Sequence, residues 1–244
     1  MQWKKWCTHT ILRNMFCNEE IFNRFLVMLD EKQTKNLFSK RIIVFGVGGV
    51  GGAVAHMLVR SGIQNITLVD FDKIDITNIN RQFVANTKNI GKLKVEELQN
   101  QLLEINPNAK VKTFCLKYGE ETANLINLAE YDYIVDCIDD IKAKKLLILR
   151  AKEANVNLLS AMGAGNRYEG IPNFEISRID KTSYDPIAKI LRKFCAENGI
   201  NNLQVCYTKQ KARKIDCKFV GSVVYYVTNM ATVMCAKVVN DILN

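Results

Sequence analysis

Arg81 and Lys94 follow a glycine-rich turn, GVGGVGG at 46–52, and three acids, Asp136, Asp139 and Asp140, come later in the chain. Cations beside a phosphate-binding turn suit a triphosphate better than a dinucleotide, whose pyrophosphate a helix N-terminus and backbone amides largely satisfy. They also suit chemistry at phosphorus, where charge grows on non-bridging oxygens and must be met by preorganised donors. A carboxylate at the same edge can hold Mg²⁺ on phosphate oxygens. Asp136 and Asp140 each have a plainer reading, as a helix cap or as a supporting hydrogen bond. Hydride chemistry, by contrast, lacks an obvious acid or base. The histidines are His9, in an irregular N-terminus, and His56, expected on the helix after the turn and packed or solvated there.

These residues need a scaffold, and the pattern supplies one. RIIVFG (41–46) is a short apolar run ending in glycine, as expected of a parallel strand buried on both faces. Gly46, Gly48 and Gly51 satisfy Gly-x-Gly-x-x-Gly between that strand and a helix over 49–61. Asp70 ends the next strand, NITLVD, where it can bind ribose hydroxyls. Further strands are expected at 110–116, 133–138 and 157–161, with helices at 92–105, near 120–129 and at 140–154. Alternation of this kind implies an α/β, Rossmann-like fold, a mostly parallel sheet with helices on both faces. After Gly165 the pattern changes to a strand (174–179), a helix (184–197) and strands near 203–207 and 217–227, which extend the sheet. We expect 1–17 to be an irregular extension and 18–244 one domain, with 166–244 completing the substrate side. A helical stripe of Ile21, Phe22, Phe25, Leu26 and Leu29 opens that domain.

Composition bounds the rest. The chain has 244 residues, 48% hydrophobic with 3 prolines, and a net charge of +9 that suits an anionic partner, whether nucleotide, nucleic acid or membrane surface, and equally a Lys-rich composition spread over solvated faces. Its 8 cysteines include no Cys-x-x-Cys pair, which argues against a zinc ribbon and for scattered thiols in a reducing cytoplasm. The apolar stretch 222–243 is interrupted by Asn229, Lys237, Asn240 and Asp241, so a core strand followed by a buried helix is expected rather than a membrane span.

GVGGVGG, DFD with NINRQ, GKLK (91–94) and DCIDD (136–140) together resemble the adenylate-forming ThiF/MoeB/HesA superfamily, related to ubiquitin-activating enzymes. The resemblance implies ATP bound by the Gly46–Gly52 loop, including Gly48, Gly49 and Gly51, with Asp70 on the ribose. Asn80, Arg81 and Lys94 would meet the phosphates, with Asn78, Gln82 and Asp136 nearby, and Asp139 would be the Mg²⁺ ligand. Asp72 either positions its loop or touches the nucleotide. Arg24 matches a family arginine that reaches the partner subunit's site in a homodimer, although its usual companion is Ile21 here.

SAMGAGN (160–166), KTSYDPIAKILRK (181–193) and CKFVGSVVYYV (217–227) resemble the branch of tRNA threonylcarbamoyladenosine dehydratases rather than the zinc-bearing branch that adenylates ubiquitin-like sulfur carriers. The implied substrate is a modified tRNA, with a cysteine desulfurase or sulfur-acceptor system as a further implied partner and no membrane role. Lys181, Lys189, Arg192 and Lys193, and the run Lys209, Lys211, Arg213 and Lys214, would then face RNA, with Tyr207 or Phe219 stacking on an unpaired base. Without the resemblance such a run reads as a solvated loop. Cys195 and Cys206 read as core thiols rather than nucleophiles.

Overall fold

The computed structural model describes residues 17–244. The expected N-terminal extension and His9 therefore lie outside the described residues, apart from Cys17.

Seven strands form one sheet in the order β3-β2-β1-β4-β5-β7-β6, where β1 is Arg41–Phe45, β2 Asn65–Val69, β3 Lys110–Phe114, β4 Tyr133–Asp136, β5 Asn157–Ala161, β6 Glu175–Arg178 and β7 Gln204–Tyr207. Every pairing is parallel except β6 with β7. Strand order reverses at β1 and β4, and the crevice above the carboxyl ends of such a pair is where open α/β sheets take ligands. Registers of Phe45 with Val69 and with Asp136, and of Asp136 with Ser160, bring the carboxyl ends of these strands level to within a residue.

Helices cover both faces: α1 (Asn18–Leu26), α2 (Glu31–Ser39), α3 (Gly49–Arg60), α4 (Lys94–Ile105), α5 (Ile141–Glu153), α6 (Pro186–Glu197) and α7 (Val224–Leu243). On one face α3 packs on α7, burying Val54, Leu58, Tyr226, Met230 and Met234 with Ile42 and Val44 of β1. On the other, Ile43, Phe45 and Ile134 meet Leu147 and Ala151 of α5. Each such side chain contributes roughly 1.5–3 kcal/mol by leaving water.

Three expectations are revised. The stripe from Ile21 to Leu29 is not one helix, because α1 stops at Leu26 and Asp30, accepting from the Gln33 amide, caps a new one. Residues 120–129 form two 3₁₀ turns, Ala123–Leu125 and Leu128–Glu130, the second capped by Asn127. Residues 217–227 are not a strand: 217–223 run as an irregular loop and α7 begins at Val224. The β-branched and aromatic run VVYYV reads as strand by propensity, but Tyr226, Met230, Met234, Val238 and Ile242 recur every four residues and are all buried, so tertiary packing selects the helix. Among the described residues no helix is long and apolar enough to cross a membrane.

Candidate active site at the carboxyl edge of the sheet

The turn after β1 is shaped by close packing. Gly46 has φ +78°, and a Cβ there would stand 2.7 Å from the Cys137 carbonyl oxygen. A Cβ on Gly51 would overlap the Gly46 carbonyl, so this glycine lets α3 sit on the turn. Asp70 follows β2 and ties the turn down, accepting from the Val47 amide and from the Asp72 amide, each at 2.8 Å. Burial raises the Asp70 pKa above the usual carboxylate value, with these two N–H groups and the Lys94 charge opposing the rise.

A 3₁₀ turn, Ile76–Asn78, begins the loop that carries Arg81. The Asp75 carboxylate caps it, and Oδ1 of the buried Asn78 side chain accepts from the Asp75 amide at 3.0 Å. Arg81 donates through one Nη to the Thr77 carbonyl at 2.6 Å and to the Asn80 side chain at 2.9 Å. Lys94, at the start of α4, is buried and donates from Nζ to Asp72 Oδ2 at 2.7 Å. Asp72 thus pairs with Lys94 and itself lines the cavity.

Gly46, Gly48, Gly49, Asp70, Asp72, Asn78, Arg81, Gln82, Lys94 and Asp139 line one cavity of about 450 Å³, within the usual size of a small-molecule site. The Gln82 side-chain oxygen is buried and has no hydrogen-bond partner among the described residues. Asp140 also borders the cavity but is committed to capping α5, accepting from the Lys142 and Ala143 amides at 2.7 and 3.2 Å, which lowers its pKa.

Four predicted residues lie elsewhere. Gly51 is buried beneath the turn and does not line the cavity. Asn80 does not line it and donates to the Ser222 carbonyl at 2.9 Å, joining the Arg81 loop to the segment before α7. Arg24 is exposed on α1, outside the cavity. Asp136 is wholly buried below the cavity floor, where Lys144 and Ser160 hold it.

Residues that sequence reasoning missed include Phe71 and the Leu116–Tyr118 segment after β3, which also line the cavity. Lys117 lies 5.8 Å from the Phe71 ring centre. That segment also ends a strand at the carboxyl edge, the one signal available for it.

Mg²⁺ is bound typically by one or two carboxylates together with phosphates and water. The arrangement fits that pattern: Asp139 is an exposed carboxylate among the residues that line the cavity.

The cysteine expectation rests on burial. Cys195 and Cys206 are inside the core, which pushes their thiols up to about 11 and about 12, far from a neutral-pH nucleophile. His56 pairs with Gln101 at 3.0 Å outside the cavity, and burial lowers its pKa. Tyr207 is buried and is not available for stacking on a base, whereas Phe219 is 81% exposed. In the basic run, Lys209 pairs with Glu175 at 2.9 Å and Arg213 with Glu169 at 3.5 Å. Lys211 and Arg213 also lie over the rings of Tyr184 and Tyr168, each at 5.5 Å.

The architecture is that of the doubly wound, nucleotide-binding α/β proteins. A family model described as ThiF family matches residues 22–243, and the chain belongs to the ThiF family. It is 35% identical over 190 residues to the tRNA threonylcarbamoyladenosine dehydratase of Bacillus subtilis, covering 78% of this chain and 74% of that protein. It is 30% identical over 182 residues to the molybdopterin-synthase adenylyltransferase of Escherichia coli, covering 73% of this chain and 70% of the other. The crystal structure of the E. coli tRNA N6-threonylcarbamoyladenosine dehydratase in complex with AMP superposes with a TM-score of 0.86 at 24% identity, over 92% of this chain and 94% of that one; the same enzyme has been solved with ATP.

Proposed function

We propose that this protein is an ATP-dependent tRNA threonylcarbamoyladenosine dehydratase that works in the cytoplasm. The observation that carries the reading is the convergence of Arg81, Lys94 and Asp139 on one cavity with the glycine turn and Asp70, a set suited to phosphorus chemistry in a family whose relatives include such dehydratases. Asp70 takes the ribose, and the amides of the glycine turn with Asn78, Gln82 and Lys94 take the phosphates. Mg²⁺ on Asp139 neutralises phosphate charge when bound. The free carboxylate of the threonylcarbamoyl group attacks the α-phosphorus, forming an acyl-adenylate and releasing pyrophosphate. An atom of the same modification then attacks the activated carbonyl, closes a ring and expels AMP. The net change removes water from the modified base and converts ATP to AMP and pyrophosphate.

Arg81 meets the charge that develops at phosphorus. In the structure its guanidinium rests on the Thr77 carbonyl and Asn80, so it is parked at the cavity wall by two neutral acceptors that a phosphate outcompetes. Arg24 acts across a homodimer interface, and Lys211, Lys214 and Phe219 face the RNA.

The test is pyrophosphate release from ATP with tRNA carrying threonylcarbamoyladenosine, followed by mass spectrometry of the nucleosides for loss of water. Release that requires the modified tRNA supports the reading, and Arg81→Ala should slow it by about 2–4 kcal/mol of transition-state stabilisation. Release that appears instead with the C-terminus of a ubiquitin-like sulfur carrier would replace the reading with the adenylyltransferase activity of the E. coli relative.

A further inference from the structure

Beneath the cavity lies a charged pair that the reading above does not use. Lys144, on α5, and Asp136, at the end of β4, are buried to 1% and 0% side-chain exposure and stand 2.9 Å apart. The three Lys144 Nζ protons have three acceptors: Asp136 Oδ2 at 2.9 Å, Ser160 Oγ at 3.2 Å and the Ala161 carbonyl at 2.8 Å. Ser160 Oγ donates to the same Asp136 oxygen at 2.6 Å, and Asp136 Oδ1 accepts from the Ile138 amide at 3.1 Å. The network thus fastens β4, β5 and α5 to one another where the chain leaves β4.

That exit is the Cys137–Asp140 segment, which borders the cavity. Its first half is held by the bond from Ile138 to Asp136, and its end is held by Asp140 as the cap of α5. Asp139 lies between these two anchors. The segment also backs the glycine turn: the Cys137 amide donates to the Phe45 carbonyl at 2.8 Å, and the Cys137 carbonyl is the atom that a Gly46 side chain would strike. An apolar pair of similar volume often stabilises a fold as well as a buried ion pair does, so stability alone is a weak explanation for this one. What an apolar pair cannot do is direct the Ile138 amide and fix the path of the next two residues.

We propose that Lys144, through Asp136 and Ser160, is a positioning residue that aims Asp139 at the metal–phosphate side of the nucleotide site. The inference rests on the nucleotide-site reading. It predicts a selective defect: binding of the nucleoside is spared, while the part of ATP affinity that depends on the metal is lost. Supporting partners of a metal ligand are worth about 10–100-fold in metal affinity, which sets the expected scale.

The experiment measures dissociation constants by calorimetry for adenosine, and for ATP with Mg²⁺ and with EDTA. Lys144→Met combined with Asp136→Leu leaves no lone buried charge. We expect this variant to bind adenosine as the wild type does and to lose about tenfold or more of the Mg²⁺-dependent tightening of ATP, approaching the value for Asp139→Asn. Ser160→Ala removes one neutral bond and, should the paired variant fail to fold, tests the same ratio with an expected loss of about two- to fivefold, a fraction of that scale. A folded variant that keeps the full tightening overturns the proposal, as does equal weakening of adenosine and Mg²⁺-ATP, which marks a general structural role. Wild-type protein that binds no ATP removes the nucleotide-site reading itself, and the inference with it. If Asp139→Asn keeps the tightening, the metal assignment fails.

Discussion

Two lysine–aspartate pairs sit at the same edge of the sheet and differ in what they leave over. Lys94 and Asp72 are 2.7 Å apart, with the lysine buried and the carboxylate 46% exposed. Among the described residues Lys94 Nζ has one acceptor, so two of its three protons remain for a ligand. Lys144 and Asp136 are both buried, and every ammonium proton is used. Burial alone does not separate a ligand-facing cation from a scaffold cation here, because both lysines are buried; the count of unused donors does.

The sharpest way to break the comparison is to remove the scaffold lysine. Lys144→Ala leaves Asp136 charged, buried and short of a partner, and should cost about 3–5 kcal/mol of stability in urea unfolding; a loss under about 1 kcal/mol would mean that water or rearrangement replaces the ammonium readily. Lys94→Met should act on the ligand instead. With Asp72 half-exposed its stability cost is small, while ATP binding should weaken by about 1.5–3 kcal/mol, the scale of a charged hydrogen bond, and adenosine binding should hold. Equal loss for both ligands, measured by calorimetry, would make Lys94 a scaffold residue too.

The smallest effect belongs to the basic run. Lys211 and Lys214 have no carboxylate partner among the described residues, unlike Lys209 and Arg213. Neutralising both should reduce the slope of log affinity for tRNA against log salt by roughly one to two units. A slope that stays unchanged would return the run to a solvated loop.

The carboxyl edge was legible because its signals are local. β1, β2 and β4 are short apolar runs that end in or run into a glycine or an acid, and that ending marks the edge where Asp70, Asp72 and Asp139 emerge. Arg81, Gln82 and Lys94 could be placed there because the loop and helix that carry them follow β2 directly. Asp136 ends a strand in the same way, yet its side chain points below the floor, since Ser160 and Lys144 wait for it there. That choice depends on a neighbouring strand and on one turn of α5, where IKAKK reads as an exposed charged face. Asn80 shows the same limit, because the carbonyl it meets is at Ser222, in a segment whose path was misread. The misreading of 217–227 came from weighing β-branched propensity above a four-residue recurrence that continues for the whole of α7.

The contact between Gly51 and the Gly46 carbonyl can be restated as a rule about which sequences can encode this protein. A library randomised at position 51 should return glycine alone among folded clones, because the smallest added side chain overlaps backbone that has no room to retreat. Position 119, where an added Cβ meets nothing within 4 Å, should accept many residues. The nucleotide turn is thus a place where drift is closed by geometry before selection on catalysis has any say, and a fixed glycine there records backbone packing as much as it records a ligand.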